Sequence, residues 1–193
     1  MKIAVVVLAG GEGRRIGGNK PLRLLGDRSL LDRAVELGRQ WSDMIAVAVR
    51  NEAQVKGGDC ACVLDDPTIA GPLGGLVAAL RFARDAGADA VLTLPADMPF
   101  LPDDLLGRLD HALGDRRAAI ASSGGQLHPV CGLWLTAAID GVPNYLASHR
   151  RSLSGFAKAV GYAAAEWPAG PNDPFFNINS ADDLAVAEAR LRG

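Results

Sequence analysis

The chain of 193 residues has only three cysteines, Cys60, Cys62 and Cys131. Three thiols cannot all pair, and none has metal-site partners at useful spacing. They are therefore expected to be reduced thiols of a cytosolic protein rather than a disulfide framework. Basic charge is not in excess: 20 Lys and Arg against 22 Asp and Glu leave a net charge of −2, which argues against a general nucleic-acid binder. No apolar run approaches the roughly 20 residues that cross a bilayer. The first strand follows directly on the N-terminus with no signal-peptide pattern, which again predicts a cytoplasmic protein. Two familiar nucleotide loops are missing as well. G-x-G-x-x-G fails because Gly11 and Gly13 are followed by Ile16, and G-x-x-x-x-G-K-[ST] fails because Asn19 separates Gly18 from Lys20. No serine or cysteine stands in a recognisable arrangement with a histidine and an acid, so a covalent mechanism is not expected.

What the chain does have is IAVVVLAGGEGRRIGGNKPL over residues 3–22. Ile3 to Leu8 is an apolar, Val-rich run suited to a parallel strand covered on both faces. It enters a loop with five glycines, Gly10, Gly11, Gly13, Gly17 and Gly18. Such a loop cannot pack a core, but its free N–H groups can form a concavity for anions. Arg14, Arg15 and Lys20 against Glu12 make it locally basic. A phosphate cradle is the expected use, and an ordinary mobile surface loop the alternative.

The rest of the chain alternates strands with helices. Ser29 caps an expected helix over 30–41, followed by strands at 44–49 and 60–64 and a helix from Pro72 to about Arg84. A strand at 90–94 ends in Pro95-Ala96-Asp97-Met98-Pro99. Further on come a helix at 105–113, a strand at 118–121, an edge or bent strand at 126–135, a helix at 136–147, a short strand at 175–178 and a last helix from Ser180 to about Leu191. Residues 150–160 stay ambiguous between loop and helix. This alternation predicts an α/β domain with a parallel sheet, with no linker or repeat to divide it. Ligands of such sheets sit at the carboxyl ends of the strands, the edge that carries the glycine loop, Asp66 and Asp97.

Asp97 between two prolines is either a turn-capping aspartate or a ligand for Mg²⁺, which takes one or two carboxylates plus substrate phosphates and water. The phosphate cradle on the same edge favours the metal. Two glycines in the first turn of the helix after Gly71-Pro72 are costly, about 1 kcal/mol each, so a neighbouring strand or a ligand must approach that turn. Asp65 and Asp66 before it read, from the residues alone, as a solvated turn. His128 stands alone in HPVCGLW, where a structural role is the commoner one. Asn177 and Asn179, at i, i+2 spacing before a helix, place two amides on one face of an extended segment and suit a polar ring system. Arg150 and Arg151 read, from the residues alone, as a solvated pair.

L-A-G-G-x-x-x-R-x-G-G-x-K over residues 8–20, Asp97-x-Pro99, G-P-L-G-G over 71–75, H-P-x-x-G-L-W over 128–134 and F-x-N-x-N-S-x-x-D-L over 175–184 together resemble the molybdopterin nucleotidyltransferases, and Gly10 resembles their guanylyltransferase branch. The resemblance spans nearly the whole chain. It implies a three-layer, Rossmann-like nucleotidyltransferase fold with a mostly parallel sheet. The nucleotide half would cover about 1–100 and the acceptor half about 101–193. It implies GMP transfer from GTP to molybdopterin with release of pyrophosphate. Leu8, Ala9, Gly10, Gly11, Lys20, Asp66 and Asp97 would bind the nucleotide, Arg15, Lys20 and Asp97 would act in catalysis, and Asp97 would hold Mg²⁺. Asn177, Asn179, His128 and Arg151 would face the acceptor. Molybdenum-cofactor biosynthesis proteins or acceptor apoenzymes are the implied protein partners. The chain departs from the family in having one residue between Gly18 and Lys20 and Met98 within the Asp-x-Pro turn, which leaves a CTP-dependent or sugar-phosphate nucleotidyltransferase as the alternative. A nucleotide-binding protein without catalysis is the other.

Overall fold

In a computed structural model, which describes residues 1–10, 20–55 and 60–192, the strands in chain order are β1 (Ile3–Leu8), a small hairpin of β2 (Leu24–Leu25) and β3 (Arg28–Ser29), β4 (Ile45–Val49), β5 (Ala61–Leu64), β6 (Ala90–Pro95), β7 (Ala118–Ser123), β8 (Gln126–Leu135) and β9 (Tyr162–Trp167). The helices are α1 (Leu30–Arg39), α2 (Pro72–Asp85), α3 (Leu105–Leu113), α4 (Val142–Ala147), α5 (Leu153–Val160) and α6 (Ala181–Arg192). Seven strands form one sheet in the order β5-β4-β1-β6-β8-β7-β9. Every pairing is parallel except the two made by β8.

The layers follow from side-chain parity. In β1, Val5 and Val7 pack with Val47, Val49, Leu92 and Leu94 under α1 and α3. Ala4 and Val6 point the other way, with Ala46, Ala48 and Val91, under α2, α4 and α5. Alternate residues of one strand thus serve two cores, which is why the central strands are apolar throughout and not alternating. A third cluster of Leu25, Leu30, Ile178 and Ala187 ties α6 and the hairpin to the C-terminal segment.

Local chemistry sets the ends that matter for the site. Ser29 caps α1 by accepting from the Asp32 N–H at 3.0 Å. Gly71 holds φ +78 immediately before Pro72, a left-handed conformation that a side chain would strain. The glycines of the first turn of α2 are explained by the protein itself. A Cβ on Gly74 would lie 2.9 Å from the Ile69 carbonyl and 3.0 Å from that of Asp66.

Three expectations need correcting. β8 is not an edge strand but lies between β6 and β7. Its proline is tolerated because pairing with β6 stops at Gly132 and the register against β7 slips from Gly132 to His128, leaving Pro129 in a bulge. Residues 175–178 belong to no strand; they are pinned by the Ile178 N–H donating to the Asp97 carbonyl at 3.0 Å. Residues 136–147 begin as a 3-10 turn and become α4 only at Val142. The ambiguous stretch before Val160 resolves into α5, capped by Ser152.

Candidate active site

β1, β4, β5 and β6 end side by side, and a cavity of about 240 Å³ opens at their carboxyl ends. Leu8 and Gly10 contribute from the end of β1, and Arg50 and Asp65 from the ends of β4 and β5. Gly71, Pro72 and Gly75 form the α2 side. Pro95, Asp97 and Met98 close the β6 side, with Val130 and Asn177 opposite. A smaller hollow beside it is lined by Leu8, Ala9, Lys20 and Asp97.

Lys20 is the centre of the cluster. It begins the 3-10 turn Lys20–Leu22 and is 9% exposed. A cation this buried needs partners. Its Nζ forms a short ion pair with Asp97 and donates to Asn179 Oδ1 at 2.9 Å and Asn177 Oδ1 at 3.5 Å. The i, i+2 asparagines do share a face, and that face points at the lysine. The structure therefore joins the end of the glycine loop, the β6 turn and the C-terminal segment at one ammonium. The segment is held by a complete capping box. The Asn179 and Ser180 N–H groups each donate to Asp183 Oδ2 at 2.8 Å, and Ser180 Oγ accepts from the Asp183 N–H at 3.1 Å. These hydrogen bonds, that from Asn179 foremost, hold the Asp183 carboxyl below its ordinary pKa, with the Lys20 charge adding to the effect.

Asp66, expected at the nucleoside end, does not line the cavity. Its Oδ1 accepts from the Thr68 hydroxyl at 2.6 Å and the Thr68 N–H at 3.0 Å, and its Oδ2 pairs with Arg81 at 3.0 Å. The Thr68 bond leads in lowering its pKa. Asp66 thus closes the turn into α2, and Asp65 takes the wall position. The Asp65 N–H still donates to the Val49 carbonyl at 2.8 Å, so Asp65 continues the β5 ladder to the sheet edge. Its Oδ1 is buried with no hydrogen-bond partner among the described residues. Burial pushes its carboxyl pKa up, and the charge of Arg50 opposes that.

His128 does not line the cavity either. It stacks on Phe175 with centroids 4.5 Å apart. Its Nε2 lies 2.8 Å from Ser123 Oγ, which itself lies 3.0 Å from Asp173 Oδ2. The serine has one proton and the carboxylate needs a donor, so Ser123 donates to Asp173 and accepts from Nε2–H, leaving Nδ1 as the ring's acceptor. Burial lowers the His128 pKa, against the pull of Asp173 and Glu166. Arg151 donates to the carbonyls of Leu146 and Arg150 at 3.0 and 2.7 Å, bracing the turn after α4. Trp134 is a core residue, fully buried, whose Nε1 donates to Thr93. Gly11 and Arg15 lie outside the described residues. Sequence reasoning did not name Arg50, Met98 and Val130 as wall residues, and it named Asp66 where the cavity wall carries Asp65. The available signal for Asp65 was strand parity, but β5 is four residues long and its end was not fixed by the pattern.

A carboxylate, a buried lysine and a glycine-lined cavity at the carboxyl edge of a mostly parallel sheet define a nucleotidyltransferase-type α/β protein. The sequence model described as a MobA-like NTP transferase domain matches residues 5–164. A protein of Cereibacter sphaeroides named molybdenum cofactor guanylyltransferase is 42% identical, covering 100% of this chain and 98% of that protein. One of that name from Rhodopseudomonas palustris is 40% identical over 95% of this chain and 91% of its own. Among solved structures, molybdopterin-guanine dinucleotide biosynthesis protein A of Archaeoglobus fulgidus superposes with a TM-score of 0.78 at 24% identity over 98% of both chains. A 4-diphosphocytidyl-2C-methyl-D-erythritol synthase of Anaerococcus prevotii gives 0.77 at 15% identity over 100% of this chain and 96% of its own; both structures speak to the fold. The chain belongs to the molybdenum cofactor guanylyltransferase family.

Proposed function

We propose that the protein transfers GMP from GTP to the terminal phosphate of molybdopterin, bare or carrying molybdenum, and releases pyrophosphate. The nucleotide would occupy the cavity formed mainly by residues before about 100, and the acceptor the side formed by residues after it, in the cytoplasm. The observation that carries this reading is the single ammonium of Lys20 held between Asp97 and Asn177–Asn179. A positive charge held between the β6 turn and the segment before α6 supports a reaction in which two anions are brought together.

The chemistry needs no nucleophile on the protein. An oxygen of the acceptor phosphate forms a bond to the α-phosphorus as the bond from that phosphorus to the pyrophosphate oxygen breaks in line. Two anions must meet, so the chain's work is positioning and neutralising charge. Lys20 turns from Asp97 towards the phosphates, still tethered by the two asparagine oxygens. Arg15 adds a second positive charge, and the loop N–H groups hold the β- and γ-phosphates. Asp97 lines both hollows and its side chain is 24% exposed. One hard-oxygen carboxylate beside a phosphate site is a donor set that suits Mg²⁺. Bound there by Asp97, the ion would neutralise charge on the departing pyrophosphate.

The test is magnesium-dependent pyrophosphate release with GTP, CTP, ATP or UTP, each offered with molybdopterin. Release with GTP alone is expected. Release with CTP instead would move the protein to a cytidylyl reaction on the same site. Tight GTP binding without release would replace the enzyme by a nucleotide-binding protein.

A further inference from the structure

Asn177 and Asn179 stand beside Lys20 on a stretch that has no ladder to fix it, since the chain between β9 and α6 forms neither strand nor helix. Asp183 holds the far end of this segment through the capping box. The near end is held by a cluster that the proposed reaction leaves unused. Phe175 is buried, stacked on the His128 ring and edge-on to Trp167 with centroids 5.3 Å apart. Burial is non-directional: it fixes how deep Phe175 sits, but not the direction in which the chain leaves it. Direction comes from Asp173. Its Oδ1 accepts from the Phe175 N–H at 2.8 Å and its Oδ2 from the Ser123 hydroxyl at 3.0 Å. Its carbonyl accepts from the Phe176 N–H at 3.3 Å and from Arg190 of α6 at 3.0 Å. One residue thus ties the segment to the end of β7 and to α6.

We propose that Asp173 is a positioning residue for the acceptor side: with Ser123 and His128 behind it, its carboxylate sets where Asn177 and Asn179 stand beside Lys20. This rests on the reading that the segment faces the acceptor in a nucleotidyl transfer. The bonds to the Asp173 carboxylate are charge-assisted, hence stronger and more directional than neutral ones. Ser123, at the last position of β7, is 4% exposed and gives its single proton to Asp173. His128 reaches the segment twice, by donating to Ser123 and by stacking on Phe175. Drawing a carboxylate, a hydroxyl and an imidazole partly out of water is costlier than packing apolar side chains. Each bond returns little net stability. What three such groups in series add is a single geometry. Asp173 lines neither hollow, whereas Asn177 lines the larger one, so Asp173 acts through the asparagines and not on substrate.

The experiment compares wild type, Asp173→Ala and Asp173→Asn as full chains. It reads GTP affinity with Mg²⁺, pyrophosphate release against molybdopterin concentration, and the NMR resonances of the Asn177 and Asn179 side-chain amides. In Asp173→Ala both amide resonances should shift. Turnover should fall by up to about 100-fold, the cost of a misplacement near 1 Å, while GTP affinity changes little. Asp173→Asn keeps an acceptor for the Phe175 N–H and should recover part of the loss. Ser123→Ala cuts only the link to β7. It should show a smaller loss of the same kind, and it carries the test if Asp173→Ala does not fold. Folded Asp173→Ala with wild-type amide resonances, or with wild-type turnover, overturns the role. An equal loss of GTP binding and turnover also overturns it, as that is a general loosening of the fold, and so does an asparagine variant no better than the alanine one. A wild type that releases no pyrophosphate sinks the transferase reading instead, and the amide resonances then still decide whether Asp173 holds the asparagines.

Discussion

Lys20 is a cation with under a tenth of its surface exposed, and it exists in that state because three oxygens surround it. Lys20→Ala leaves Asp97 without its counter-charge and two asparagine carbonyls without a donor. The protein should still fold, since Lys20 and Asp97 contribute to none of the hydrophobic clusters. Losing one preorganised charge contact typically costs about 10²–10³ in rate, so Lys20→Ala and Asp97→Ala are each expected to lower kcat by that order. Circular dichroism would check the fold and pyrophosphate release the rate; near-normal turnover in either variant would remove its assigned role. His128 offers a pH test at the same scale. Its pKa is lowered in the folded state by burial, so the fold favours the neutral ring. The resulting stability is fully present above the unfolded value near 6.5 and is lost as pH falls through it. Wild type should therefore lose more stability than His128→Gln between pH 7.5 and 5.5, read from urea midpoints. Equal losses would mean that the ring titrates as it does in the unfolded chain. Of these residues, Lys20, Asp97, Asn177 and Asn179 were visible as a set because each sits in a motif with its own spacing. Asp65 was not, since two adjacent aspartates differ only in which face of a four-residue strand they continue.

At the scale of elements, α6 starts from a side-chain cap and buries little of its own. Ala187 is the residue it fully buries, with Leu184 packed beside. The capping box fixes where the helix starts, and hence where Asn179 stands. Asp183→Ala removes the acceptor of two N–H groups and should cost about 0.5–2 kcal/mol, the usual worth of a helix cap. Asp183 touches no substrate in the proposed reaction, yet turnover should fall, by up to about tenfold if about 1.4 kcal/mol of positioning is lost. Asp183→Asn keeps one acceptor oxygen and should recover part of both. Loss of stability without loss of turnover would separate Asn179 from the positioning of Lys20. The cap was legible as Ser180-x-x-Asp183, because capping is local chemistry. The hairpin β2–β3 and strand β9 were not. The hairpin strands have two residues each, too few for a period. β9, YAAAEW, has small residues where a strand signal needs β-branched or aromatic ones; its place comes from parallel pairing with β7, a long-range contact. Pro129 misled for the opposite reason: the rule that keeps proline off central strands holds for a ladder, and the bulge removes the ladder there.

For the whole molecule, the two halves of the chain share one sheet through the β6–β8 pairing and both main cores, and polar groups from both converge at its carboxyl edge. β1, β4, β5 and β6 supply the cavity floor, while β8 and the segment before α6 supply Val130, Asn177 and Asn179. A ligand seated on this edge touches both halves and binds only the folded chain, so it must raise stability by mass action. At a GTP concentration of 100 times Kd the gain is about 2.7 kcal/mol. For a chain of this length each kcal/mol raises Tm by about 2–4 °C, which predicts a rise of roughly 5–10 °C with GTP and Mg²⁺. The charge cluster sets the sign of a control. Asp97→Ala sets Lys20 free for the phosphates, so GTP without Mg²⁺ should stabilise this variant at least as well as wild type, whose lysine must first leave Asp97. Lys20→Ala should respond weakly under both conditions. If Asp97→Ala and Lys20→Ala lose the response to metal-free GTP equally, Lys20 is held in place for the fold and not for the phosphates.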